Sequence, residues 1–188
     1  QKQVFRYVTQ AATPRKIGIL LMMQMGLHIG EVCGLQWQDF DLDKGILSVR
    51  RTVKRIYVEN QRTKVVVQSP KTATSERAIP IPRKVLSLVH QLHNSQSPHT
   101  WFLSSQEAKP VEPRCYSKSI HCYLKHAQVS SVHPHALRHT FATTCLQNGC
   151  NVKTLSEIMG HASSDITMKL YVHTCWEWKR AEIERIFN

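Results

Sequence analysis

His135 and Arg138 stand three residues apart in the run His135-Ala136-Leu137-Arg138-His139-Thr140. On a helix that spacing puts the two side chains on nearly one face, with Leu137 and Phe141 on the flank that meets a core. An imidazole and a guanidinium then converge on one external group, and the guanidinium fork matches two oxygens of a phosphate. Further on, Gly160-His161 is followed ten residues later by Tyr171. A tyrosine is a weak nucleophile, with an ordinary pKa of about 10. Attack by Tyr171 therefore requires clustered cations that stabilise its phenolate. Earlier in the chain, Gly26-Leu27-His28-Ile29-Gly30-Glu31 and Lys71-Thr72 supply an imidazole, a carboxylate and an ammonium.

Taken one at a time these residues have plainer readings. His-x-x-Arg is common on solvated helix faces, Lys71 reads as a turn lysine, Tyr171 as a half-buried aromatic, and His161 as a helix-end imidazole bonded to backbone. Glu31 takes a supporting role, a carboxylate that pairs with a site cation and fixes its rotamer.

Positioning such groups takes a folded scaffold, and 188 residues, 41% of them hydrophobic, suffice for one sizeable core. Thr13 and Pro14 form a helix start, and Ile17 to Met25 then reads as a buried helix ending near Gly26. A short helical turn from Glu31 to Leu35 follows, then Trp37 and a turn region with Asp39, Asp41 and Asp43. Residues 46–58, 65–67 and 78–81 are strand-like and predict a small antiparallel three-stranded sheet, with Lys71 on the connection between its last two strands. The spacing of Tyr116, Ile120, Tyr123, Leu124 and Ala127, and of Leu137, Phe141 and Cys145, predicts two amphipathic helices around a loop at 132–134. Asn151 starts another, with Val152, Leu155 and Ile158 inward, and Gly160 is a left-handed stop that sets where His161 emerges. Ser164 or Asp165 then caps a short helix leading to Tyr171. The fold class is mixed α/β, mostly helical. Residues 1–173 read as one domain, and residues 174–188 as a helical tail, amphipathic through Trp176, Ile183 and Phe187, that docks on its own domain or on a neighbour. The start at Gln1 rather than Met points to a preceding N-terminal domain absent from this stretch.

Lys and Arg number 25 against 13 Asp and Glu, a net charge of +12, which calls for a polyanionic partner such as nucleic acid or an anionic membrane surface. Nucleic acid is favoured. The longest apolar run, residues 17–25, is broken by Gly18 and Gln24 and falls far short of the roughly 20 residues of a membrane span. Arg50, Arg51, Lys54, Arg55, Arg62 and Lys64 crowd the first strands, and Arg114, Lys118 and Lys125 mark a basic helix face. All are candidate phosphate contacts, against the plain reading of a solvated charged surface. Six cysteines without a Cys-x-x-Cys pair read as reduced thiols, several at buried-looking helical positions. His135 and His139 are spaced like metal ligands on one helical face. The zinc-protease pattern, however, needs a Glu after the first His, where Ala136 stands. No catalytic metal is expected.

The four stretches, in this order and closing on a Tyr-x-His at Tyr171, resemble the catalytic domain of the tyrosine recombinases, the integrase family of phages and mobile elements. The resemblance covers about residues 14–173. It implies a DNA-cutting and rejoining activity that integrates or excises a mobile element. Tyr171 would form a 3'-phosphotyrosine and release a 5'-hydroxyl, while Arg138 holds the non-bridging oxygens. Lys71 would protonate the leaving oxygen, His135 assist proton transfer, and His161 hydrogen-bond the scissile phosphate. The bond energy stays in the phosphotyrosine, so neither ATP nor any other cofactor is implied. The implied partners are double-stranded DNA attachment sites and further copies of the chain in a homo-tetramer, with tails exchanged between neighbours and a monomer when isolated. The implied location is the bacterial cytoplasm, with the protein encoded by the bacterium or a phage and acting on the host chromosome.

His28 departs from the pattern, which has arginine at that position. A histidine cannot fork two donors onto one phosphate and is mostly neutral near pH 7; losing such a donor costs on the order of 3 kcal/mol, about a hundredfold in rate. Three explanations stand: a deliberate change that traps a DNA complex, a natural variant that tolerates histidine, or a degenerate relative that only binds DNA. If His28 acts, it acts as an imidazolium whose pKa is raised by the bound phosphate. A type IB topoisomerase, which shares the chemistry without a defined site, is a further rival.

Overall fold

The computed structural model describes residues 1–58, 62–69, 76–93, 96–130, 132–161 and 176–187. Its elements in chain order are α1 (Lys2–Gln10), α2 (Pro14–Met25), α3 (Ile29–Cys33), a 3-10 turn (Trp37–Asp39), β1 (Phe40–Asp41), β2 (Ile46–Val49), β3 (Thr52–Val58), β4 (Arg62–Gln68), β5 (Arg77–Pro80), α4 (Arg83–Leu92), α5 (Pro113–His126), α6 (Pro134–Gln147), α7 (Val152–Met159) and α8 (Trp176–Phe187).

Helix α2 is the hub. Ile17, Ile19, Leu20, Leu21 and Met22 are wholly buried on it, as expected of a helix that is apolar on every side. It packs against α4, α5 and α6. The Thr13 hydroxyl accepts from the Lys16 N–H at 3.3 Å, and Pro14 occupies the first turn, where its missing N–H is no loss. At the other end Gly26 adopts φ 70°, the left-handed stop that only glycine takes without strain. The stop turns the chain into His28 and α3. A smaller core of Phe141, Ala142, Leu155 and Met159 joins α6 to α7.

The strands differ in detail from the expected single sheet. β1, β2 and β5 form a three-stranded antiparallel sheet in the order β1-β2-β5, with Leu47 opposite both Phe40 and Ile79, and Val49 opposite Arg77. β3 and β4 form a separate hairpin running from the Thr52–Gln68 pair to Val58–Arg62. The run read as one strand over 46–58 is thus two, divided at Arg50 and Arg51. Arg51 turns to the end of α3, donating to the Gly34 carbonyl at 3.2 Å and to Asp39, and this anchors the chain where it changes sheet.

The cysteines meet expectation in part, as free thiols that are not all buried. Among the described residues Cys33 is in the core, Cys145 and Cys150 are half-buried, and Cys115 and Cys122 are exposed, all five as free thiols, while Cys175 lies outside the described residues. The α5 residues that turn inward are Tyr116, Ile120 and Leu124, and their four-residue spacing leaves positions 115 and 122 on the outer face. The tail does form a helix, α8, on which Ile183, Ile186 and Phe187 are exposed. Among the described residues no helix is long and apolar enough to cross a membrane.

Candidate active site

Three segment ends meet at one place: the turn after α2, the first half of α6, and the turn after α7. His28 occupies the N-cap position of α3, just beyond Gly26. Pro134 in the first turn of α6 sets that helix in motion so that His135 stays exposed while Arg138 and Leu137 turn inward. Gly160, at φ 66°, ends α7 and releases His161. Asn151 holds the other end of that helix, its side-chain oxygen accepting from the N–H groups of Lys153 and Thr154 at 2.8 and 3.4 Å.

Arg138 is 1% exposed. Its guanidinium ties the segments together, donating to the Gly26 carbonyl, to the Met159 carbonyl at 2.8 Å and to Nε2 of His161 at 2.9 Å. The two carbonyls are of the kind that helix ends leave without intrahelical partners. Above it, the His28 and His135 rings lie nearly parallel, at 13° with centroids 6.2 Å apart. His139, one turn along α6, meets His135 edge-on at 4.4 Å. The site is therefore layered, with imidazoles outside and the Arg138 guanidinium beneath.

Glu31 sits beside this layer, 6% exposed. One carboxylate oxygen accepts from the His28 backbone N–H at 2.8 Å, and the pair of oxygens receives Arg77 at 2.8 and 3.1 Å. Arg77 also donates from Nε to the Ile158 carbonyl at 2.6 Å. The cation that Glu31 pairs with is Arg77, which sequence reasoning passed over. A signal existed. On β5 the exposed Ala78 and Pro80 alternate with the buried Ile79 and Ile81, so position 77 falls on the inward face. An arginine there needs a partner.

The crowding sets the charges. His161 is pushed down to about 4, first by burial, then by the neighbouring Arg138, Arg77 and His135, with Glu31 opposing. His28 keeps an edge open to solvent, yet it too is lowered to about 4, by the protein packed around it and then by Arg138, with Glu31 opposing and Arg77 and His135 adding to the fall. His135 is lowered by partial burial, His139 and Arg138. For Glu31 burial raises the pKa, but the Arg77 hydrogen bonds and charge, with help from His28, outweigh it and keep the carboxylate ionised. The expectation of a charged His28 accordingly starts further from its goal than an ordinary histidine would. Without a phosphate present, all three imidazoles favour the neutral form.

Of the residues singled out from the sequence, His28, Glu31, His135, Arg138 and His161 come together. Lys71 and Tyr171 lie outside the described residues, as do the Ser164 or Asp165 cap and the domain boundary at 173. His135 and Arg138 share a helix flank less fully than their spacing implied, because Arg138 is drawn inward by the carbonyls of Gly26 and Met159. Among the basic residues, Arg50, Arg114, Lys118 and Lys125 are exposed and Lys54 is half-buried. Arg51 and Arg55 depart from the expected free phosphate contacts. Arg51 pairs with the buried Asp39, and Arg55 makes a two-pronged ion pair with Glu112 at 2.7 Å. Among the described residues no three His, Cys, Asp or Glu side chains converge to hold a metal ion.

A family model described as the phage integrase family matches residues 2–176. The chain is 29% identical over 185 residues to the tyrosine recombinase XerC-like protein of Caldanaerobacter subterraneus subsp. tengcongensis, covering 89% of this chain and 47% of that protein. It is 31% identical over 155 residues to tyrosine recombinase XerC of Myxococcus xanthus, covering 81% and 47%. It spans about half the length of these relatives. Among solved structures, the Tn1549 transposon integrase in complex with circular intermediate DNA superposes with a TM-score of 0.76 at 24% identity, over 98% of this chain and 63% of that one. The XerA recombinase superposes with a TM-score of 0.72 at 22% identity, over 100% and 61%. Both share its mixed, mostly helical fold.

Proposed function

This chain belongs to the phage integrase family, and on that footing we propose that it is the catalytic part of a tyrosine recombinase that cuts and rejoins double-stranded DNA at defined sites, integrating or excising a mobile element. The observation that carries this reading is the convergence of His28, His135, Arg138 and His161 from three separate segments onto one surface. A cluster of imidazoles over a guanidinium suits a phosphodiester.

In this reading the Tyr171 hydroxyl attacks the phosphorus as its proton passes to a neighbouring base. The bond from phosphorus to the 5' oxygen breaks, and Lys71 gives that oxygen its proton. A 3'-phosphotyrosine remains until an incoming 5'-hydroxyl reverses the steps. Arg138 neutralises the charge that builds on the non-bridging oxygens, His161 hydrogen-bonds the scissile phosphate, and His135 assists proton transfer. Arg138 is engaged by the Gly26 and Met159 carbonyls and by His161, and a bound phosphate would draw on the same guanidinium. Residues 1–173 form the catalytic domain, residues 174–188 a tail exchanged between protomers, and the working assembly is a tetramer on two duplexes. N-terminal DNA-binding regions beyond this chain act with it on DNA in the bacterial cytoplasm.

His28 favours a second reading, a relative that binds DNA and cuts it poorly or not at all. Incubation with a randomised pool of nicked duplexes, followed by denaturing electrophoresis, separates the two. An enzyme leaves a covalent adduct that disappears in Tyr171→Phe, while binding without any adduct selects the second reading.

A further inference from the structure

We propose that Arg77 is a positioning residue of this site, whose bridge between Glu31 and the Ile158 carbonyl holds the His28 turn, the His161 turn and the strand following Lys71 in one register. What that register serves rests on the recombinase reading; the register itself does not.

The contacts are specific. Nη1 and Nη2 grip the Glu31 carboxylate at 2.8 and 3.1 Å, and Nε reaches the Ile158 carbonyl at 2.6 Å. Glu31 in turn fixes the His28 backbone N–H at 2.8 Å. At the other end a Cβ on Gly160 would fall 2.8 Å from Nη1 of Arg77, so the guanidinium lies directly against the turn that presents His161. β5 begins at Arg77, six positions after Lys71 in the chain. The partners are 46 and 81 residues away in sequence. Both side chains of the ion pair are nearly buried, at 6% and 8% exposure. Only a planar fork satisfies acceptors from α3 and α7 at once; the point charge of a lysine does not. Because these donors face protein acceptors, the effect of Arg77 on DNA chemistry passes through His28 and His161.

The test uses the whole chain with its histidine ring nitrogens labelled, comparing the parent with Arg77→Lys, Arg77→Met and the paired change Glu31→Gln with Arg77→Met. In Arg77→Lys the imidazole resonances of His28 and His161 should move, while those of His90 on α4 and His126 on α5 stay. Adduct formation from the randomised nicked-duplex pool at saturating DNA should fall about 10- to 100-fold. Lys should retain more activity than Met, with affinity for a random-sequence duplex unchanged. Unmoved His28 and His161 signals in Arg77→Lys would overturn the assignment, and so would a loss of DNA affinity that accounts for the whole fall in adduct. If the methionine variants fail to fold, the lysine variant decides. A parent chain that gives no Tyr171-dependent adduct would sink the recombinase reading alone, and the imidazole signals would still judge Arg77.

Discussion

Arg138 donates through Nη2 to Nε2 of His161 across 2.9 Å, joining α6 to the turn after α7. A guanidinium has no acceptor, so Nε2 must carry the lone pair and the ring is the Nδ1–H tautomer. The bond requires a neutral His161, in keeping with a pKa lowered from 6.5 to about 4.

Stability should therefore depend on pH in a defined window. The unfolded chain binds the proton below its ordinary value of 6.5, whereas the folded protein takes it up only near 4. The contribution is complete above 6.5 and is lost as pH falls towards 4. Urea unfolding midpoints should drop across that interval, and His161→Phe should make the drop shallower, the remainder coming from His28, which is lowered to the same value. An equal slope in the variant would show that His161 does not contribute.

Arg138 should matter to the fold as well as to chemistry. Arg138→Met strands the Gly26 and Met159 carbonyls, which its guanidinium now satisfies. We expect a loss of about 1–3 kcal/mol in unfolding free energy, together with loss of adduct. Denaturant unfolding that matches the parent would contradict the structural part of this role.

His28→Arg should raise the rate of adduct formation by up to about a hundredfold near pH 8. The depressed pKa of His28 leaves it neutral there unless bound phosphate restores the proton. The parent should gain on the variant as pH falls towards about 6. Rates that coincide at both pH values would exclude a charge-supplying role for position 28.

Gly160→Ala should destabilise the protein by more than about 1 kcal/mol. The residue sits at φ 66°, and the added methyl would press on the Arg77 guanidinium at 2.8 Å. Thermal unfolding checks this, with Gly149→Ala as the comparison, since that glycine also has positive φ (77°) but open space around it. A larger loss at Gly149 would refute the steric account.

The basic residues should divide into two groups. Lys118→Ala and Arg114→Ala remove exposed cations, and each that contacts a phosphate should reduce the salt dependence of DNA binding by about 0.9 in log–log slope. Arg51→Ala should leave the slope alone and cost about 3 kcal/mol or less in stability, because it leaves the buried Asp39 without its cation and with only the Gln36 N–H. Titrations at several salt concentrations beside unfolding curves distinguish the groups, and a reduced slope for Arg51→Ala would reassign it to DNA contact.

Much of the scaffold was legible because its signals are short-range. The Thr13-Pro14 start, the Gly26 and Gly160 stops and the Asn151 cap each depend on residues within one turn, and each stands where the chain predicted it. The α5 and α6 patterns were read from apolar spacing alone. α1 and α4 carry the same kind of pattern in Val4 with Val8 and Val85 with Val89, but so few apolar positions mark no continuous face. The division of residues 46–58 between two sheets was not legible, since it depends on where Arg51 finds Asp39 and Gly34.

The same division runs through the site. Residue type and order determined which groups can handle a phosphate: imidazoles at 28, 135 and 161 and a guanidinium at 138. Whether each faces outward or inward was decided by partners far along the chain. Arg138 is held by Gly26 from 112 residues away, and Glu31 by Arg77 from 46. Such contacts leave no local periodicity, because burying a charged fork depends on which distant acceptors the folded chain brings to it.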